Sequence, residues 1–151
     1  MYRLFLMIAA LAVLLLGCSG ERTISVDEFN TEVVTLPDGY QVRAEVMREP
    51  EDMMRGMMFR DSLAEDRGML FMHGSPGEYT YYMYQVRIPL DLIWMDLRGR
   101  VVEIVADAPP CTTKASKCPQ YGGHEVAAVV LELPAGSAAK HNVRVGSKLK
   151  F

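Results

Sequence analysis

The chain has little of what usually announces a reaction. Its 151 residues contain no Gly-x-Ser-x-Gly and no His-Glu-x-x-His, and Ser62 has no adjacent His-acid pair. The three histidines, His73, His124 and His141, are scattered, so neither a nucleophile elbow nor a helical zinc site is written here. There is no basic run, and the net charge is −3, which argues against nucleic acid as a partner. Long apolar segments are missing too. The longest, Leu4–Leu16, has 13 residues, short of the roughly 20 that span a bilayer as a helix. Cysteine is sparse, with Cys18, Cys111 and Cys118 and no Cys-x-x-Cys. That spacing disfavours a redox-active pair, and zinc would need four ligands.

The N-terminus is more explicit. Arg3, the apolar run and then Gly17-Cys18 follow the charged, apolar, small-residue order of a secretory signal. Leu15-Leu16-Gly17-Cys18 resembles the bacterial lipobox, in which the signal is removed and the cysteine is acylated. Ordinary secretion with a free Cys18 is the alternative. The lipobox implies a signal over residues 1–17, a lipid anchor at Cys18, and a membrane-attached protein facing the periplasm. Ser19, where inner-membrane lipoproteins carry Asp, favours the outer membrane. Several acyl chains anchor stably where one does not. The mature chain keeps 134 residues with 15 basic and 19 acidic side chains, a net charge of −4, enough for one domain with a core.

Residues 18–30 are polar and read as a tether; residues 31–151 read as the domain. Val33–Leu36 and Tyr40–Met47 flank Pro37-Asp38-Gly39 and predict a hairpin. Glu49-Pro50-Glu51-Asp52 predicts a helix start and Gly56 its end. Further strands are expected at Met69–Met72, Tyr79–Tyr84, Leu90–Asp96, Val101–Ala106, Val126–Leu133 and Val143–Phe151, with a second short helix near Pro134–His141. Many short strands and two short helices predict a mainly β, compact sandwich-like or barrel-like single domain. RGMMF at 55–59 and RGMLF at 67–71 echo each other over five residues only, too little for a repeat architecture. Gly56 and Gly68 are expected at backbone turns. Cys111 and Cys118, with six residues between them, suit a disulfide in an oxidising compartment, a redox pair and two metal thiolates being the alternatives.

RGMMFRDSL and GMLF, then IPLDLIWMD at 88–96, PPC at 109–111, CPQYG at 118–122 and LELPAG at 131–136 together resemble the DUF 192 family, a prokaryotic domain that is often exported. The resemblance spans about residues 31–150 and implies a compact β-rich fold without assigning a reaction. Members commonly carry Met-x-Asn-Thr before the IPLD, where this chain has Met83-Tyr84-Gln85-Val86; Gln85 partly replaces the Asn, but Val86 has no hydroxyl.

Three functional readings follow, none requiring a cofactor. The first is a binding domain for a small anionic ligand or an envelope partner, using Arg55 and Arg60, whose planar forks suit carboxylate or phosphate, with Asp91, Gln85 and Tyr121. Its structural counterpart is an ion pair between Asp91 and one arginine that docks a loop. The second is soft-metal handling. Nine methionines fall between residues 47 and 95, and thioethers select Cu(I); the candidates are Met53, Met54, Met57 and His73, although methionine also fills irregular cores. The third is a small hydrolase using Asp91 with Tyr121. No residue is assigned as catalytic, and an enzyme is the less favoured class.

Overall fold

A computed structural model describes residues 30–151. The expected signal over residues 1–17, the expected lipid anchor at Cys18 and the expected tether up to residue 29 lie outside the described residues.

The first hairpin forms as the alternation requires. Strands β1 (Thr31–Thr35) and β2 (Gln41–Met47) pair antiparallel, with Val34 opposite Val42. Gly39, at φ +88°, closes the turn by donating to the Leu36 carbonyl at 2.9 Å. Helix α1 (Pro50–Arg55) has Pro at its start and Glu51 and Asp52 in its first turn, where acids meet the positive end of the helix dipole. Gly56 ends it at φ +44° and donates to Asp52 O at 2.8 Å.

The chain then returns as β3 (Arg67–Gly77), which runs parallel to β2 with Val46 opposite Leu70. A parallel pair needs a crossover, and the segment carrying α1 supplies it. β5 (Leu90–Met95) and β6 (Val101–Ala108) form the second hairpin, after the two-residue strand β4 (Thr80–Tyr81). Two-residue β7 (Tyr121–Gly122) pairs with β4 outside the main sheet. β8 (Ala127–Pro134) inserts between β3 and β5, giving a mixed six-stranded sheet of order β1-β2-β3-β8-β5-β6. The single domain is mainly β with two short helices, the second being α2 (Ser137–Lys140).

Two cores cover the two faces of this sheet. Leu70, Ile93, Met95, Leu131 and Leu133 belong to one cluster, joined by Ala138 of α2 and by Val143 and Leu149. Met69, Phe71, Leu92, Trp94 and Val130 belong to the other, joined by Met57 and Met83. Neighbouring residues fall in opposite clusters because side chains alternate along a strand. β5 and β8, buried on both faces, therefore read as nearly unbroken apolar runs.

Three expectations about local structure need correction. The terminal strand over 143–151 does not form: Gly146, at φ +89°, interrupts the alternation, leaving isolated bridges from Lys148 to Arg100 and from Lys150 to Thr35. The expected strand Tyr79–Tyr84 contracts to Thr80–Tyr81, and β3 instead runs on to Gly77. Gly68 is not a turn residue. It lies within β3, where an added Cβ would come within 2.9 Å of both the Glu132 carbonyl oxygen and Leu133 Cδ2. Close packing against β8, rather than chain reversal, requires the second glycine of the echoed motif. Cys111 and Cys118 form the disulfide, with Cα atoms 5.8 Å apart, which pins the loop leading into β7.

Candidate functional site

On the sheet face that carries Phe71 and Val130, alternation also places His73 of β3 and Glu132 of β8. Helix α1 and the turn after it form one wall above them, and the Tyr79–Tyr82 segment forms another. Between them lies a cavity of about 250 Å³, lined by Met53, Met54, Arg55, Met57, Met58, Phe71, His73, Tyr79, Tyr81, Tyr82, Val86 and Glu132 among others. That volume exceeds the roughly 30 Å³ share of one water several-fold. Its walls are thioether and aromatic, the composition of a small-molecule pocket.

Glu132 is the anomaly in these walls. It is 6% exposed, and its Oε2 atom is cut off from solvent with no hydrogen-bond partner among the described residues. Burial pushes its carboxyl up to about 8, with the charge of Arg60 acting in the opposite direction. Close by, His73 Nε2 and the Tyr81 hydroxyl share a hydrogen bond of 2.9 Å, and the His73 ring stacks on Tyr79 with centroids 3.5 Å apart. Burial holds the His73 imidazole below its ordinary value, favouring the neutral ring. The Tyr81 phenol is raised by burial and then by the neighbouring Glu132 and Tyr79. Edge-on contacts to Phe71 and Trp94 fix the Tyr81 ring. The result is a polar group of acid, phenol and imidazole inside an apolar cavity, held by rigid strands.

The residues singled out in the sequence are dispersed. Arg55 ends α1 and lines this cavity. It also lines a second, more polar cleft with Arg60, Asn30, Glu45, Asp52 and Phe59. Arg60 is held there by Glu45 through two contacts, of 2.5 and 2.6 Å. Gln85 is exposed, at φ 59°, and its carbonyl accepts the Phe59 N–H at 2.8 Å; its side chain is not part of the cavity wall. Tyr121 sits in β7 opposite Tyr81 and packs on the second core cluster without lining the cavity.

Asp91 is not paired with the arginine that its structural reading expected. It is fully buried on the α2 side of the sheet, and its contacts are backbone N–H groups rather than an arginine. Oδ1 accepts from Asp107 at 2.9 Å and Gly136 at 3.2 Å, and Oδ2 accepts from Ala138 at 2.7 Å. A carboxylate so engaged ties β6 and the start of α2 to β5. It lies on the sheet face opposite the cavity that Arg55 lines, and neither that cavity nor the cleft holding Arg60 includes it in its lining.

By contrast, the four soft-metal candidates Met53, Met54, Met57 and His73 all line the one cavity. Among the described residues no group of three His, Cys, Asp or Glu side chains is arranged for a metal. Glu132 and Tyr81 escape a linear reading. The available signal is the acid interrupting the apolar run AAVVLELP of β8.

The mixed sheet, its crossover helix and the cavity between them define a class of compact single-domain β proteins. Within that class, the chain belongs to the DUF 192 family, described as an uncharacterized ACR, whose pattern it matches over residues 33–151. A crystal structure of a protein of unknown function from Novosphingobium aromaticivorans is similar, with 30% identity and a TM-score of 0.72 over 80% of this chain and 85% of that one. A proposed transcription regulator from Sinorhizobium meliloti 1021 is similar at 27% identity, with a TM-score of 0.70 over 78% and 89%. No curated protein matches the chain significantly.

Proposed function

We propose that this is a lipid-anchored domain of the bacterial envelope that binds a small ligand in the cavity beneath α1, without catalysis. Glu132 carries the reading. A carboxyl buried with an unpartnered oxygen costs stability, and its position in the lining of a cavity walled largely by thioether and aromatic side chains gives that cost a use. Such perturbed groups concentrate at functional sites. Among the described residues that line the cavity there is no serine, cysteine or lysine, which favours binding over turnover. The anionic preference drawn from Arg55 and Arg60 gives way, because the acid lies in the cavity lining and Glu45 already occupies Arg60. The mature chain's acidic balance disfavours a nucleic-acid partner.

A thermal-shift screen of small organic compounds tests this reading against a Met53→Trp variant, whose indole fills the cavity. At least one compound should raise the Tm of the native chain and leave the variant unmoved. Equal shifts in both, or none in either, would sink it. The anchor is tested separately by fatty-acid labelling, which should be present in the native chain and lost in Cys18→Ser.

Soft-metal binding is a second reading, favoured by the convergence of Met53, Met54, Met57 and His73 on the same cavity. A Cu(I) competition titration decides it: affinity no tighter than micromolar, or unchanged in a Met53→Leu/Met57→Leu variant, ends the idea.

A further inference from the structure

We infer that the cavity beneath α1 takes its ligand through an ammonium group docked on the Glu132 carboxyl, so that the ligand is a small organic monocation with an apolar body. The inference rests on the ligand-binding reading above. The Glu132 Oε2 atom has no donor among the described residues. A neutral N–H would supply one but no countercharge, so the carboxyl would keep the proton that its burial retains. An ammonium supplies donor and countercharge together, and such charge-assisted bonds are the stronger kind.

The groups around Glu132 leave that role vacant. Arg60, the cation acting on it from the loop after α1, is bound by Glu45 of β2. His73 of β3 is committed to Tyr81 of β4. Beside Glu132 in the sheet, β3 sets Met69 and β5 sets Leu92, neither of which carries charge or a donor. Tyr79 and Tyr82 complete the nearby titratable groups in the lining, and Arg55 enters it from α1. A second positive charge on the ligand would meet Arg55, which disfavours a polyamine. An anion would meet Glu132. Phe71, Tyr81, Tyr82, Met53 and Met57 all line the cavity, and aromatic rings and thioethers accept the substituents of an organic cation through cation–π attraction and soft packing.

The test uses the full chain in lipid nanodiscs with methyl-labelled methionine. It is titrated with phenethylamine and with the neutral 2-phenylethanol and the anionic 3-phenylpropionate, followed by NMR. The amine should shift the Met53 and Met57 methyls and bind roughly tenfold more tightly than the alcohol, or better. In Glu132→Gln, whose unchanged methionine spectrum reports an intact fold, that preference should fall to about twofold or less. If the alcohol or the propionate binds as tightly as the amine, or the variant keeps the preference, the ammonium inference is wrong while the ligand-binding reading stands. If no probe moves these methyls, both are wrong.

Discussion

Replacing Glu132 by Gln should change how stability responds to pH, and the change can be worked from the structure. The carboxyl titrates near 4.5 when exposed and at about 8 in the folded chain. Between those values the folded state keeps a proton that the unfolded state has released, so raising the pH favours unfolding. Each pH unit in that window costs up to about 1.4 kcal/mol. The penalty is therefore small at pH 5, about 3 kcal/mol at pH 7, and levels off at about 5 kcal/mol above pH 8. Glutamine has nearly the same shape and does not titrate, so its own imperfect hydrogen bonding adds only a constant. Urea denaturation of residues 30–151, which hold every described strand and both core clusters, should show the variant gaining on the native chain by about 4 kcal/mol from pH 5 to pH 9. At an m-value of about 2 kcal/mol/M, that is a relative midpoint shift of about 2 M. Parallel pH profiles for the two proteins would refute the assignment of a proton-retaining buried acid. They would also remove the main reason for seeing the cavity as a binding site.

Asp91→Asn keeps an oxygen for two of its three N–H donors but turns an amide N–H₂ toward the third, and should cost about 2–3 kcal/mol in denaturant melts; an unchanged midpoint would contradict the clamp. Cys111→Ser with Cys118→Ser should lose about 2–3 kcal/mol under oxidising conditions and nothing under reducing ones, measured as the difference between the two melts. Gly122→Ala should be severely destabilising, because its Cβ would fall 2.1 Å from Trp94 Cζ2 at a backbone φ of +74°; a fold with native near-ultraviolet tryptophan signal would disprove that packing.

Much of the architecture was legible in the linear order of residues. Alternation in β2, the turn at Pro37–Gly39, Pro50 and the acids of α1, and Gly56 at its end act within a few residues, so short-range rules suffice for them. The disulfide was open to a spacing argument for the same reason. Family membership rested on separated motifs in the right order, and the match over residues 33–151 agrees. Local rules failed at Val143–Phe151, where Gly146 and the demand of Arg100 and Thr35 for single bridges outweigh a strand pattern. They also failed at Gly68, where the reason for glycine lies on another strand 64 residues away, at the Glu132 carbonyl.

The candidate site divides along the same line. Sequence alone determined that thioethers, arginines and a lone imidazole were concentrated between residues 47 and 95. Only the tertiary structure decided which of them meet. Pairing β3 in parallel with β2 and antiparallel with β8 sets His73, the α1 methionines and Glu132 around one cavity. The same pleat turns Asp91 to the opposite face, into a cage of backbone N–H groups. Which face a side chain joins depends on strand register, and register is fixed by partners far away in the chain. The acid that matters most was visible as a letter, but its burial was a property of the sheet.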